Sequence, residues 1–190
     1  MVKRALAMKI NDSFSGNKNW ADVVETPTIR EVMRRLEDGI SRIFVAGSAG
    51  SGKTTLLRSL ERHWKKTKRV SVYISLREIR TDADILDRFS NELRENPQFH
   101  FDNAIIQSSS QSAYGDIFEQ IKGQGADILL LLDGFDELRE QEAIDRFLRS
   151  AAAVKSISIV ASGRHSSLGS RRRSFFDEEL RMEEFSLNEL

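Results

Sequence analysis

Residues Gly47-Ser48-Ala49-Gly50-Ser51-Gly52-Lys53-Thr54 narrow the possible folds of this chain more than any other stretch. Their spacing is G-x-x-x-x-G-K-[ST] in full, and both flanks suit it. The apolar run Ile43-Phe44-Val45-Ala46 before them reads as a buried parallel strand. After them Leu56, Leu57, Leu60 and Trp64 fall on one helical face, which predicts a helix from Lys53 through about residue 64. A strand that feeds a glycine-rich turn and then a helix N-terminus forms an anion cradle. The glycines let successive N–H groups aim at phosphate oxygens, and the helix end adds partial positive charge. In that cradle Lys53 reaches the β- and γ-phosphates, Thr54 offers its hydroxyl to Mg²⁺, and Thr55 touches the α-phosphate. Spacing alone thus points to a Mg-nucleotide.

The remaining pattern alternates strands and helices. Residues 28–38 read as a short amphipathic helix, with Thr28 and Glu31 in capping-box spacing, Pro27 just before and Gly39 as its stop. Val70, Val72, Ile74 and Leu76 alternate with polar residues, which predicts a half-buried strand near a sheet edge. Ile85, Leu86, Phe89 and Leu93 mark a helix. Residues 97–115 read as a polar loop and 116–122 as a short helix. Ile128 to Leu132 and Ile157 to Ala161 are short buried strands flanking a helix carrying Ala143, Ile144, Phe147, Leu148 and Ala151. Leu180, Met182 and Phe185 suggest a last strand. Residues 1–27 have no sustained period and read as an arm or linker; residues 28–190 form the core. Such alternation implies an α/β fold with a parallel sheet covered on both faces.

Composition removes several classes of function. There is no cysteine, so disulfides, thiolate metal sites and a Cys nucleophile are excluded. Lys+Arg and Asp+Glu number 29 each, and a balanced chain of 190 residues gives no global reason for nucleic-acid or anionic-membrane binding. Nucleic acid and membrane are therefore set aside as partners. The N-terminus is a poor secretory signal, and the expected location is cytoplasmic.

Two further constellations complete the chemistry. Ile128-Leu129-Leu130-Leu131-Leu132 delivers Asp133 at a strand end, followed by Gly134-Phe135-Asp136-Glu137. A carboxylate at that point suits hydrated Mg²⁺ bridging phosphates, and Asp136 or Glu137 can orient or deprotonate an attacking water. Ser162-Gly163-Arg164 follows the 157–161 strand, where a cation can sense the γ-phosphate and stabilise its developing charge.

GSAGSGKTTLL, LLLLDGFDEL and IVASGR, in this order, resemble the NACHT branch of the STAND signal-transduction NTPases. The diagnostic piece is Asp133-Gly134-Phe135-Asp136-Glu137, with a small residue after the Mg²⁺ aspartate and an acid two positions further on. The resemblance covers about residues 28–187. It implies a three-layer fold with a five-stranded parallel sheet in the order 5-1-4-3-2, built from residues 42–46, 70–75, 128–132, 157–161 and 180–185. It also implies ATP or ADP as ligand with Mg²⁺, slow hydrolysis, and a switch that selects between closed and assembly-competent states. Protein partners or self-assembly are then expected through a parent chain. Family members continue into helical and winged-helix subdomains, and the end at Leu190 suggests a fragment. The alternatives are an AAA-type remodelling ATPase, a small P-loop kinase, for which Arg171-Arg172-Arg173 is the one candidate lid cluster, and a nucleotide-binding interaction domain without turnover.

Overall fold

The computed structural model describes residues 7–8, 27–67, 69–96, 99–100, 110–138, 141–169 and 173–182. In chain order the elements are β1 (Ala7–Met8), α1 (Pro27–Glu37), β2 (Arg42–Ala46), α2 (Lys53–Lys66), β3 (Val70–Ser75), α3 (Asp82–Arg94), α4 (Ser110–Gln124), β4 (Ile128–Asp133), α5 (Gln141–Ala152), β5 (Ile157–Gly163) and β6 (Glu178–Met182). Single 3₁₀ turns follow β3, β4 and β5. The strands form one sheet in the order β1-β6-β2-β5-β4-β3. Every pairing is parallel. The five longer strands keep the expected order, and Ala7–Met8 adds a two-residue ladder on β6 at the edge.

The inner strands β2, β5 and β4 bury residues on both sides, because helices cover both faces of the sheet. Phe44, Val72, Leu130, Leu132 and Ile159 enter one core with α3, α4 and α5. Their neighbours Ile43, Val45, Tyr73, Leu129, Leu131 and Val160 enter the other, with α1 and α2. This period of two sorts one strand's side chains between two cores. Fully burying each such Leu, Ile or Phe contributes about 1.5–3 kcal/mol. Phe147 of α5 is the hub of the first core, with the rings of Phe89, Tyr114 and Phe118 at centroid distances of 5.3, 5.8 and 5.8 Å.

Three element expectations need correction. Residues 110–115 belong to α4 rather than to a loop, and the helix runs on to Gln124. Tyr114, Ile117, Phe118 and Ile121 make its buried face at helical spacing, and burial on that face overrides the polar Ser/Gln content. β3 is an edge strand as expected, yet Val70 through Ile74 are all buried, because α2 lies over the Ser71 and Tyr73 side. α1 begins at Pro27, so Thr28 lies in its first turn rather than at the cap; proline suits a first helical position. The true capping box is on α3, where Thr81 Oγ1 accepts from the Asp84 N–H and the Asp84 carboxylate accepts from the Thr81 N–H. The expected strand 180–185 is seen as Glu178–Met182. Its remainder, most of the 1–27 arm, residues 97–98 and 101–109, and Arg171-Arg172 lie outside the described residues.

After the short edge strand β1 the chain runs through β2, crosses to the far edge at β3, returns through β4 to β5, and then passes β2 to form β6. The direction reverses around β2, so the crevice beyond the carboxyl ends of β2 and β5 is a topological switch point.

Candidate functional site

The loop after β2 lies in that crevice. Its first N–H, from Gly47, donates to the Gly163 carbonyl at the end of β5 at 3.1 Å. Gly50 and Gly52 take φ values of 80° and 86°, which side-chain-bearing residues rarely adopt, and this lets residues 47–52 curl over the start of α2. No side chain caps α2 at Gly52, so no capping group claims its first-turn N–H groups. The hydroxyls of Ser48 and Ser51 are buried without a hydrogen-bond partner. Lys53 turns back over the loop, and its ammonium donates to the carbonyls of Gly47 at 2.9 Å and Ser48 at 2.5 Å. Burial pushes the Lys53 pKa below the ordinary lysine value, while Asp136 and Asp133 pull against that shift. Ala49, Thr54 and Thr55 are exposed on the open side.

Asp133 ends β4 opposite this loop. Thr54 Oγ1 donates to Asp133 Oδ2 at 2.8 Å, which joins the lysine–threonine pair to the strand carboxylate. Ser162 Oγ donates to Oδ1 at 2.5 Å, and the Tyr73 phenol donates to Oδ2 at 2.7 Å. Burial first, and then the bond to Asp133, raise the Tyr73 pKa far above its ordinary value, so the phenol is a fixed donor. The Gly134 N–H returns to the Ser162 carbonyl at 3.2 Å and so ties β4 to β5 at the site.

Beyond Asp133 the 3₁₀ turn Phe135–Glu137 is anchored by buried Phe135 against Phe44 and Phe176. A Cβ on Gly163 would stand 2.9 Å from the Phe135 Cβ, so this turn seats only because residue 163 has no side chain. Asp136 accepts from the Arg164 backbone N–H at 3.2 Å and pairs with its guanidinium at 3.0 Å. Glu137 is held bidentately by Arg77 at 2.5 and 2.7 Å, which lowers the Glu137 pKa and raises that of Arg77. The sequence-predicted residues Gly47 to Thr55, Asp133, Asp136, Glu137 and Arg164 thus surround one crevice.

The sequence motifs do not give Tyr73, Ser162 or Arg77 a role at the site. Ser162 stands in the Ser-Gly-Arg stretch at the end of β5, and that position is its sequence signal. Tyr73 and Arg77 depend on the β3–β4 register, which aligns Ser75 with Asp133, and one strand alone does not show it. Of the 171–173 arginine run only Arg173 is described; it lies 3.3 Å from His165 Nε2, and the same histidine's Nδ1 pairs with Glu179 at 2.6 Å. Among the described residues no group of three or more His, Asp or Glu converges on a metal position, and no helix is long and apolar enough to cross a membrane.

A parallel sheet of this order, with a G-x-x-x-x-G-K-T loop at its switch point facing a strand-end aspartate, defines a P-loop NTPase. More narrowly, the chain belongs to the NACHT family, whose domain profile matches residues 41–189; it is a nucleotide-binding ATPase domain. No curated protein matches it in sequence. Among solved structures it is similar to Cdc6p of Pyrobaculum aerophilum, at 18% identity and TM-score 0.64 over 86% of this chain and 48% of that one. ORC1 of Aeropyrum pernix in complex with DNA matches at 18% identity and TM-score 0.60, over 84% of this chain and 45% of that one. A signal transduction ATPase with numerous domains and a tetratricopeptide repeat sensor, from Pyrococcus horikoshii, matches at 14% identity and TM-score 0.54, over 96% of this chain and 25% of that one. These likenesses are of fold, and the chain spans about half the length of the first two proteins.

One expectation is overturned here. Balanced charge set nucleic acid aside as a partner, but the Aeropyrum ORC1 structure with this fold is bound to DNA. Net charge averages over a whole surface, whereas a binding face is local, so zero net charge does not exclude DNA for a domain of this kind.

Proposed function

We propose that this chain is the nucleotide switch of a larger signalling or defence protein, binding Mg-ATP and hydrolysing it slowly. The observation that carries the reading is the contact of Thr54 with Asp133 at 2.8 Å, with the Lys53 ammonium within reach of the Asp133 charge. A hydroxyl and a carboxylate form the hard, all-oxygen donor set that Mg²⁺ takes, and the unpartnered Ser48 and Ser51 hydroxyls fit a phosphate cradle. Thr54 and Asp133 would hold the metal; bound there, it supplies charge neutralisation on the β- and γ-phosphates.

The protein's own groups do the rest. Backbone N–H groups of residues 48–55 bind the phosphates, while that of Gly47 stays on the Gly163 carbonyl, and the Lys53 ammonium leaves the Gly47 and Ser48 carbonyls for phosphate oxygens. Asp136, with Glu137 in reserve, orients the attacking water, and Arg164 meets the charge that develops on the γ-phosphate. Slow turnover is supported by the engagement of both acids, since Asp136 holds Arg164 and Glu137 holds Arg77. The signalling role is supported by family membership and by the fold shared with the Pyrococcus signal transduction ATPase.

Lys53→Ala tests the reading. Titration with a fluorescent ATP analogue should show affinity reduced about tenfold or more, from loss of charged hydrogen bonds, and single-turnover hydrolysis should fall with it. Parent affinity and parent turnover in that variant would refute the reading.

A further inference from the structure

Tyr73 lies outside every motif that carries the nucleotide reading, yet its hydroxyl ends on the central carboxylate. The ring is 7% exposed, in the core beneath α2, and the Arg58 guanidinium lies 3.3 Å from its centroid. Its neighbours Leu129 and Leu131 on that face of β4 are apolar, and the phenol is accommodated because Asp133 Oδ2 accepts its proton at 2.7 Å.

We propose that Tyr73 is a positioning residue for Asp133, one that sets how well this site takes a divalent cation beside bound nucleotide; the proposal rests on Asp133 being the metal carboxylate. The terminal torsion of an aspartate is soft, so a carboxylate with one anchored oxygen swings. Here the oxygens are anchored separately and from opposite sides. Ser162 on β5 donates to Oδ1, and Tyr73 on β3 donates to Oδ2. Both donors are buried, at 0% and 7% exposed, whereas Thr54, the third, is exposed at the mouth. Thr54 is therefore the donor free to turn towards a ligand, and when it does the carboxylate keeps its orientation. Hydrogen-bond partners behind a metal ligand have this effect generally, and removing one lowers metal affinity about tenfold or more.

Tyr73→Phe keeps the ring, its packing and the Arg58 stack, and removes only the hydroxyl. The affinity for a fluorescent ADP analogue is measured in EDTA and then across a Mg²⁺ titration, and the electron paramagnetic resonance linewidth of Mn²⁺ is recorded in the ADP complex. The expected result is an EDTA affinity within about twofold of the parent, a Mg²⁺ midpoint about tenfold higher, and a broadened Mn²⁺ signal. Ser162→Ala should shift the midpoint in the same direction. A midpoint equal to the parent's, or an EDTA affinity that falls as far as the Mg²⁺ affinity, overturns the positioning role and leaves the nucleotide reading standing. A parent protein that binds ADP with no Mg²⁺ enhancement overturns both. Tyr73→Met, apolar and without a hydroxyl, takes the place of Tyr73→Phe should the latter not fold.

Discussion

The acids and bases of the crevice are each engaged before any phosphate arrives. Lys53 donates to its own loop, Arg164 to Asp136, and Arg77 to Glu137. Ion pairs this exposed contribute little to folding, about 0–1 kcal/mol each, so their consequence is for chemistry rather than stability. Asp136 and Arg164 are in direct contact, and their effects on turnover should be coupled. In a double-mutant cycle with Asp136→Ala and Arg164→Ala, each single variant should slow hydrolysis while leaving ADP affinity within a few-fold, and the double variant should be slower than either by much less than the product of the two losses. Single-turnover rates for the four proteins decide this, and independent, multiplying losses would separate the two roles. At this scale the residues inside contiguous motifs were legible, because the motif fixes Lys53, Thr54 and Asp133 by spacing. Tyr73 and Arg77 were not, since they reach the site across the sheet from a strand whose register only the fold defines.

Among the elements, α3 carries a charge that its surroundings disfavour. Glu92 lies one position before buried Leu93, and burial raises its pKa above the ordinary glutamate value; Glu61 and Glu95 add to the shift and Lys65 opposes it. A raised carboxylate favours folding at pH below its ordinary value, and that advantage is lost as pH rises through the raised one. At neutral pH the ionised Glu92 therefore costs stability, and Glu92→Gln should raise the melting temperature at pH 7 by about 2 °C. The gain should shrink towards zero near pH 4, where the parent is also neutral. Thermal melts of both proteins at the two pH values check this, and a gain independent of pH would assign the effect to something other than charge. Strands β2, β4 and β5 were legible as short apolar runs, and α5 from its apolar spacing. The start of α4 was not, because its polar residues look like a loop until Tyr114 and Ile117 meet Phe147 and its neighbours. β3 looked half-exposed for the same reason, as the cover over Ser71 and Tyr73 comes from α2.

In the whole molecule the two cores are faces of one sheet, and strand residues alternate between them, so neither can open without the other. Unfolding is expected to be a single transition. Trp64 reports the α1/α2 side, at 5% exposed beneath Arg69, and the backbone circular dichroism reports both. In a Trp20→Phe background, Trp64 fluorescence and circular dichroism should give coincident urea curves; separated midpoints would mean that the two layers melt independently.

The strand order also governs how this protein comes off the ribosome. β2, which carries the loop of the site, has β5 and β6 as its sheet neighbours and neither β3 nor β4. β5 is encoded about 110 residues downstream and β6 about 130, which at ribosomal speeds of roughly 5–20 residues per second leaves at least about 6–20 s of synthesis before the first of them. Throughout that interval the apolar strand Arg42–Ala46 has no native edge to join, and the glycine loop behind it has no β5 to hold its first N–H. The segment that defines the site is made early and completed late, which makes the nascent chain a natural client for chaperones that shield apolar strands during translation.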